Sequence, residues 1–191
     1  MIRLFSKLCK YFNKNNTKND VDSFNEYMES VNIHNLSCPF CGAKHSLTTF
    51  STYKRHLVTY HNKKSTDNII TITRCKCSSC GHTHAILPTV IVPYMSFSFN
   101  FTVSIIYEYL THNFKSIEVM CDHYGISTPQ FYRIFKIFKM HKQLWLGMLE
   151  DNVTSSLTFI TQLLKCDSLE IETFIINFFN KIGISFFQRT S

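Results

Sequence analysis

The sequence has no long hydrophobic run. No stretch approaches the roughly 18 uninterrupted apolar residues that a membrane-spanning helix needs. The opening residues, MIRLFSKLCKYFNKNN, also lack the apolar segment of a secretory signal. We therefore expect no membrane association and a cytoplasmic location. In that reducing compartment, paired cysteines bind metal more often than they form disulfides.

The motifs of common catalytic chemistry are missing as well. There is no glycine-rich phosphate loop, no G-x-S-x-G motif and no cysteine–histidine pair with a supporting third residue. Only 49 residues follow Lys142, and their acidic residues fall on predicted helices or caps. The pair His82 and His84 resembles a relaxase His-x-His motif, but Thr83 replaces its apolar middle residue. We expect a protein that is not an enzyme.

Acidic residues are scarce in the first three-quarters of the chain. The formal net charge is +7. Residues 1–64 carry 10 basic and 4 acidic groups, residues 65–142 carry 7 and 4, and residues 143–191 carry 3 and 5. All of the positive excess therefore lies before residue 143. This distribution favours a polyanionic partner for the first part and a different role for the last.

Cysteines, by contrast, are numerous. The chain of 191 residues has eight, and four of them form two C-x-x-C pairs separated by 35 residues. Two residues between ligands allow one tight turn to direct both thiolates at one metal, and the glycine after each pair can adopt the left-handed conformation. Two such turns in a β-rich segment are typical of a zinc ribbon. The predicted ligands of Zn²⁺ are Cys38, Cys41, Cys77 and Cys80.

Alternatives to this ligand set concern the metal and one cysteine. A rubredoxin-type iron site has the same ligands, and a redox dithiol would leave one matched pair unexplained. Cys75 competes with Cys77 as the partner of Cys80, but Cys77 keeps the two-residue spacing and the following glycine. Cys75 is then a small buried strand residue or a spare ligand. A closed four-thiolate site has no open coordination position, so we expect its role to be structural.

Residues 116–142 have the pattern of a helix-turn-helix. Ser116 can cap a short helix whose apolar residues recur at i, i+3, i+4 and i+7. Gly125 ends that helix in the manner of a left-handed C-terminal glycine. Ser127 or Thr128 begins the next helix, with a capping-box glutamine shortly after. The pattern predicts two helices joined by a tight turn.

The second of these helices is cationic. Residues 128–142 hold four basic residues and no acid, and the apolar residues repeat on the opposite face. A helical hairpin with a solvated basic face has the same local pattern, but the adjacent ribbon and the basic N-terminal half favour duplex DNA as partner. The helix would enter the major groove N-terminus first. The predicted contacts are Thr128, Gln130 and Arg133 to base edges, and Lys136 and Lys139 to phosphates.

The predicted fold class is α+β, a small β zinc ribbon followed by an all-α helix-turn-helix bundle. The predicted segments are a basic N-terminal helical arm (1–34), the ribbon (35–95), the helix-turn-helix domain (96–149) and a C-terminal helical hairpin (150–191). Strands are expected over 47–56, 57–61 and 69–75, with a hairpin loop over 62–68. Helices are expected near 1–12, 21–31, 102–112, 116–123, 128–142, 143–149, 153–165 and 169–181.

The last two helices carry wide apolar stripes. These stripes can pack on the helix-turn-helix or pair with a second chain. Pairing would give a homodimer through the C-terminal helices, which suits a protein that reads two-fold DNA sites.

The motifs between Cys38 and Tyr94 also carry a family resemblance. The segment reads C-P-F-C-G, then Y-K-R, then I-T-R-C-K-C-S-S-C-G, then T-H-A-I-L-P and V-P-Y. It resembles an uncharacterised bacterial family known only as a domain of unknown function, over about residues 35–140. Members of that family are similar to the N-terminal zinc-ribbon and helix-turn-helix part of insertion-sequence transposases. The resemblance implies the same four cysteine ligands and no particular activity.

Together these features predict a zinc-stabilised, sequence-specific double-stranded DNA-binding protein, transposase-like or associated with mobile elements, and located at the nucleoid. It would lack a catalytic domain of its own. Two alternatives stay open: an accessory subunit or remnant of a transposase that acts with a partner chain, and a protein-interaction adaptor. RNA also remains open as a partner, because a zinc ribbon does not distinguish between nucleic acids.

Overall fold

The computed structural model describes residues 3–4, 20–61, 64–88, 91–146, 155–165, 168–185 and 187–188. Within these ranges the protein has mixed α and β structure. The strands are β1 (Arg3–Leu4), β2 (Leu47–His61), β3 (Lys64–Cys77), β4 (Thr83–Ala85) and β5 (Leu87–Pro88). The α-helices are α1 (Asp20–Ser30), α2 (Phe99–Leu110), α3 (Ile117–Tyr124), α4 (Thr128–Leu146), α5 (Ser156–Lys165) and α6 (Ser168–Ile182).

A long hairpin of β2 and β3 forms most of the antiparallel sheet, and β4 pairs with the other edge of β3. Phe50 is an extra residue in β2, because the register shifts between Thr49 and Ser51. The two strands predicted over 47–56 and 57–61 are thus one strand. The predicted loop over 62–68 was too long, because the ladder continues to the pair His61 and Lys64.

The hairpin is longer than its apolar residues predict, because polar residues near the turn also pair across the strands. Asn68 lies in β3 opposite Leu57, and its side-chain amide donates to the Leu57 carbonyl and to Thr59 Oγ1. These cross-strand hydrogen bonds satisfy a residue type that favours loops when it has no such partner. The polar composition of NKKSTDN therefore predicted a longer turn than the hairpin has.

Helix α1 covers one part of the hairpin. Its Phe24 is almost fully buried against Leu57, Ile70 and Ile72. The helix occupies residues 20–30, one residue earlier than predicted. Burial of a phenylalanine against three aliphatic side chains stabilises the fold by about 2 kcal/mol.

The helix predicted over residues 1–12 falls mostly outside the described residues. Its two described residues, Arg3 and Leu4, form strand β1, which pairs in parallel with Leu87–Pro88. The helical prediction was wrong at these two positions. The spacing of apolar residues predicted hydrogen bonds within a helix. Arg3 and Leu4 instead pair with the backbone of β5.

The helices α2 to α6 enclose the largest apolar core. The sequence predicted a break in the α4 region at residues 142–143, but one helix continues through Leu146, and residues 147–149 lie outside the described residues. Helix α2 begins at Phe99, three residues earlier than predicted, because Ser98 Oγ accepts from the Phe101 N–H and caps it. The fully buried aromatic residues of this core are Phe101, Tyr124, Phe131, Phe138, Phe178 and Phe187.

The sheet and the helices contact each other through the far end of the hairpin. Val58 exchanges backbone hydrogen bonds with Ser96 and Ser98, and the ring of Tyr60 stacks on Tyr124 at 4.5 Å. The packed tyrosines fix the sheet relative to α3. Among the helices that the structure describes, none is long and apolar enough to cross a bilayer.

Candidate functional site

The two C-x-x-C segments form matching turns. In the first, the Cys38 N–H donates to Ala43 and the Gly42 N–H to Cys38. In the second, the Cys77 N–H donates to His82 and the Gly81 N–H to Cys77, and all four bonds are 2.8–2.9 Å long. Both glycines have φ near +73°, a conformation that costs other residues free energy. Each turn therefore directs two thiol groups to one side of its backbone.

The hairpin brings the two turns together, so that four sulfur atoms form one cluster. The Sγ atoms of Cys38, Cys41, Cys77 and Cys80 all lie within 4.8 Å of one another. The Cys38–Cys80 and Cys41–Cys77 sulfur pairs are 3.7 and 3.8 Å apart. A tetrahedral zinc site with Zn–S bonds of about 2.3 Å has sulfur–sulfur edges of about 3.8 Å. The cluster can therefore hold a metal ion and fits the geometry of zinc.

The surroundings of Cys77 favour its thiolate, whereas burial and the adjoining thiols raise the pKa of Cys80 to about 12. The Ser46 hydroxyl donates to Cys77 Sγ at 3.3 Å. This bond, with the backbone N–H groups of Ser79 and Cys80, lowers the pKa of Cys77 to about 6. A cysteine that ionises this readily is suited to metal binding, because the thiolate is the ligand form.

A histidine outside the predicted ligand set lies beside the cluster. His84 is 5% exposed, and its Nε2 is 3.4 Å from Cys38 Sγ. With Nε2 protonated, the ring donates to that sulfur. Burial lowers the pKa of His84, which favours the neutral imidazole. No sequence motif marked this role, because it follows from the pairing of β4 with β3, which places His84 beside the cysteines.

Cys75 does not belong to the cluster. It is fully buried in β3, and its Sγ donates to the His84 carbonyl. Burial raises the pKa of Cys75 and keeps it a thiol. Its position among apolar side chains identifies Cys75, the first cysteine of CKCSSC, as a packing residue.

Helices α3 and α4 are capped by side chains and joined by a tight turn. Ser116 Oγ accepts from the Val119 N–H, and Gly125 ends α3 in the left-handed conformation with φ +65°. The Ile126 N–H then returns to the Cys121 carbonyl. Ser127 and Gln130 exchange hydrogen bonds between side chain and backbone, which is a capping box for α4.

The predicted DNA-contacting residues all lie on α4. Gln130, Arg133, Lys136 and Lys139 are exposed, and Thr128 is half-buried. Lys139 Nζ lies 4.7 Å from the centre of the Phe135 ring, which fixes that ammonium group against the helix. The opposite face of the helix packs into the core through Phe131, Ile134 and Phe138. The result is a cationic face, without a carboxylate of its own, on a well-anchored helix.

The predicted apolar stripes of the C-terminal helices are partly described. Phe159 and Ile160 of α5 and Ile175 and Phe178 of α6 are buried within this chain. Leu157 of α5 remains 38% exposed. The described part of the stripes therefore packs mainly inside one chain.

The protein thus consists of a β-hairpin with two cysteine turns at one end, followed by a set of helices. Residues 38–124 match the model of a family described as a domain of unknown function, DUF6431. The match runs from the first predicted ligand to the end of α3, so α4 lies outside it. The predicted resemblance to an uncharacterised family is confirmed over these residues. No curated protein and no solved structure matches the chain.

Proposed function

We propose that the protein is a zinc-stabilised, sequence-specific double-stranded DNA-binding protein, without a catalytic domain of its own. The observation that carries the proposal is the exposed face of α4. Four basic residues and no acid occupy residues 128–142, and a tight capped turn fixes the N-terminal end of the helix. This is the arrangement in which a recognition helix of a helix-turn-helix presents its first turns to the major groove.

Zinc has a structural role in this proposal. The thiolates of the four clustered cysteines would fill its coordination sphere, and the metal would supply folding free energy to the cysteine end of the hairpin. The sheet then acts as a zinc ribbon, and its long hairpin holds α3 through Tyr60 and Tyr124. The metal itself would not contact DNA, and the side chains of α4 would recognise the duplex.

The residues of α4 divide the recognition between them. Thr128, Gln130 and Arg133 lie in the first two turns, where side chains reach base edges. Gln130 would contact a base through its amide N–H groups, because its Oε1 accepts from Ser127. Lys136 and Lys139 follow one and two turns later and bind phosphates, which sets orientation and affinity. This activity and the resemblance to transposase N-termini suggest that the protein is associated with a mobile element. At the nucleoid it would bind the DNA ends of that element without cleaving them, and a partner transposase would perform the catalysis.

Two substitutions distinguish base reading from phosphate binding. Arg133→Ala should reduce discrimination between the preferred site and a scrambled duplex, with a loss of about 1–3 kcal/mol on the preferred site alone. Lys136→Ala should weaken the affinity for both duplexes by a similar factor. It should also make the slope of log affinity against log salt concentration (the salt slope) shallower by about 0.9. Fluorescence anisotropy on both duplexes at several salt concentrations measures these effects.

Lys181→Ala is the matched control, because Lys181 is an exposed lysine near the end of α6. It removes the same charge from a different helix and should leave both affinities unchanged. Equal losses in the Lys136 and Lys181 variants would contradict a specific role for α4. Failure to bind any duplex, with retained binding to a protein partner, would instead identify an adaptor or a transposase subunit.

Self-association would double the recognition surface. We propose that two copies pair through the C-terminal helices and bind a two-fold site, with the exposed Leu157 of α5 near the contact. A palindromic site, together with a two-to-one stoichiometry in analytical ultracentrifugation, is the expected result. A single, asymmetric half-site bound by one copy would contradict it.

A further inference from the structure

An exposed phenylalanine on the sheet has no role in the site described above. Phe50 is 53% exposed and is the extra residue of the bulge in β2. A bulge changes the direction of a side chain relative to the regular strand. Two cations lie within reach of the ring: Arg74 Cζ at 6.0 Å and Lys76 Nζ at 5.7 Å from its centre. We call these three side chains the bulge patch.

The charge around the bulge patch is strongly one-sided. Between residues 30 and 107 the sequence has seven basic residues and one acid, Asp67. That acid accepts from His56 Nδ1 at 3.0 Å, and it pairs with Val58 in the ladder. Val58 is eight residues beyond Phe50, a distance of about 26 Å along a strand. The sheet therefore places no carboxylate beside the bulge patch, and the nearest acidic residue of another element is Glu29 of α1, which lines a groove together with Thr48 and Thr49.

The chemistry of the bulge patch fits an unpaired nucleotide. An exposed aromatic ring offers a stacking partner for a base, and the adjacent cations can bind the phosphates on either side. In a duplex, the bases already stack on one another and present only their edges and phosphates. Phosphate binding alone would need no aromatic ring at the centre of the basic surface.

We propose that the bulge patch is a second nucleic-acid site, in which Phe50 stacks on a base of single-stranded DNA and Arg74 and Lys76 bind the flanking phosphates. The stacking surface is independent of α4. The choice of DNA rather than RNA rests on the function proposed above. A chain with both sites would hold a duplex and an adjacent unpaired strand at the same time.

The test is fluorescence anisotropy with a labelled oligothymidylate of about 15 nucleotides. Phe50→Ala and Phe50→Leu should each weaken binding by about 5- to 100-fold, because both remove the stacking ring. Phe50→Trp should retain the affinity. The double variant Arg74→Ala/Lys76→Ala should make the salt slope shallower by about 1.4, at about 0.7 per phosphate contact of a single strand.

The matched control is Tyr94→Ala, which removes an aromatic residue that is 66% exposed. Its affinity should equal that of the unaltered protein. Binding by Phe50→Leu within twofold of the unaltered protein, or an equal loss in the Tyr94 variant, would overturn the proposal. Phe50→Leu retains the apolar volume, so a folding defect of the alanine variant does not decide the result.

Two further comparisons separate this proposal from the function of α4. Lys136→Ala should weaken duplex binding and leave oligothymidylate binding unchanged, whereas Phe50→Leu should do the reverse. Loss of both affinities in either variant would overturn the idea of two separate surfaces. Tighter binding to oligouridylate than to oligothymidylate would overturn the choice of DNA.

Discussion

At the scale of single residues, the grouping of Cys38, Cys41, Cys77 and Cys80 into one cluster was the most predictable feature. The choice of Cys77 over Cys75 followed from the spacing and from Gly81, and the structure places Cys75 in the apolar core. The proximity of Ser46 and His84 to the sulfur atoms was not predictable in the same way. Each depends on strand pairing between segments that are more than 30 residues apart in the sequence. A local motif carries no information on such contacts.

One buried histidine predicts an acid-dependent stability. His141 of α4 is 2% exposed, and neither ring nitrogen has a partner among the described residues. Burial lowers the pKa of His141 below its ordinary value of 6.5. The unfolded chain therefore binds a proton near pH 6.5 that the folded chain does not, so this residue reduces the free energy of unfolding as the pH falls through 6.5.

Replacement of His141 by Leu removes this titration. Between pH 7 and pH 5.5, the unaltered protein should lose up to about 1.4 kcal/mol per pH unit more than His141→Leu does. Urea unfolding at both pH values measures the difference. Parallel pH profiles for the two proteins would show that His141 is not the responsible group.

At the scale of elements, sequence patterns located the helices better than the strands. Capping residues fixed α3 and the beginning of α4 to within one residue, because caps act locally. The end of the hairpin was misjudged, because polar residues such as Asn68 are satisfied by the opposite strand. The division of α4 at residue 142 failed because the residues that follow, Gln143 to Leu146, include no glycine or proline that would end a helix.

The turn between α3 and α4 predicts a specific loss of stability. Gly125 has φ +65°, and a Cβ at this position would meet no atom within 4 Å. Gly125→Ala should therefore lower the free energy of unfolding by about 1 kcal/mol through backbone strain alone. Gly125→Asn should lose less, because asparagine tolerates the left-handed conformation. Equal losses of the two variants in chemical unfolding would show that the left-handed φ is not the cause.

At the scale of the whole molecule, the buried apolar side chains of the described ranges form three clusters of unequal size. The cluster at the cysteine end has five buried members, Cys38, Leu47, Cys75, Cys77 and Ile86, and two of these are predicted ligands. The cluster of the helices is much larger. This division was not predictable from composition, because the same aromatic and aliphatic residues occur throughout the chain. It depends on which segments the hairpin brings into contact.

The unequal clusters predict how the protein responds to chelation. Removal of the metal should expose the cysteine end of the hairpin, since so few apolar residues remain there to stabilise it. Hydrogen exchange should then lose protection at the two cysteine turns and the adjoining parts of β2 and β3, while α2 to α4 keep theirs. Uniform loss over sheet and helices would contradict a local structural role for the metal.

The account as a whole depends on duplex recognition by α4. Selection from random duplexes with the zinc-loaded protein tests it most directly, followed by affinity measurements on the enriched site at several salt concentrations. We predict one enriched sequence and a log–log salt slope of several units, as expected for about 4–6 phosphate contacts. An unenriched pool, or binding that does not change between low and physiological salt, would contradict the account.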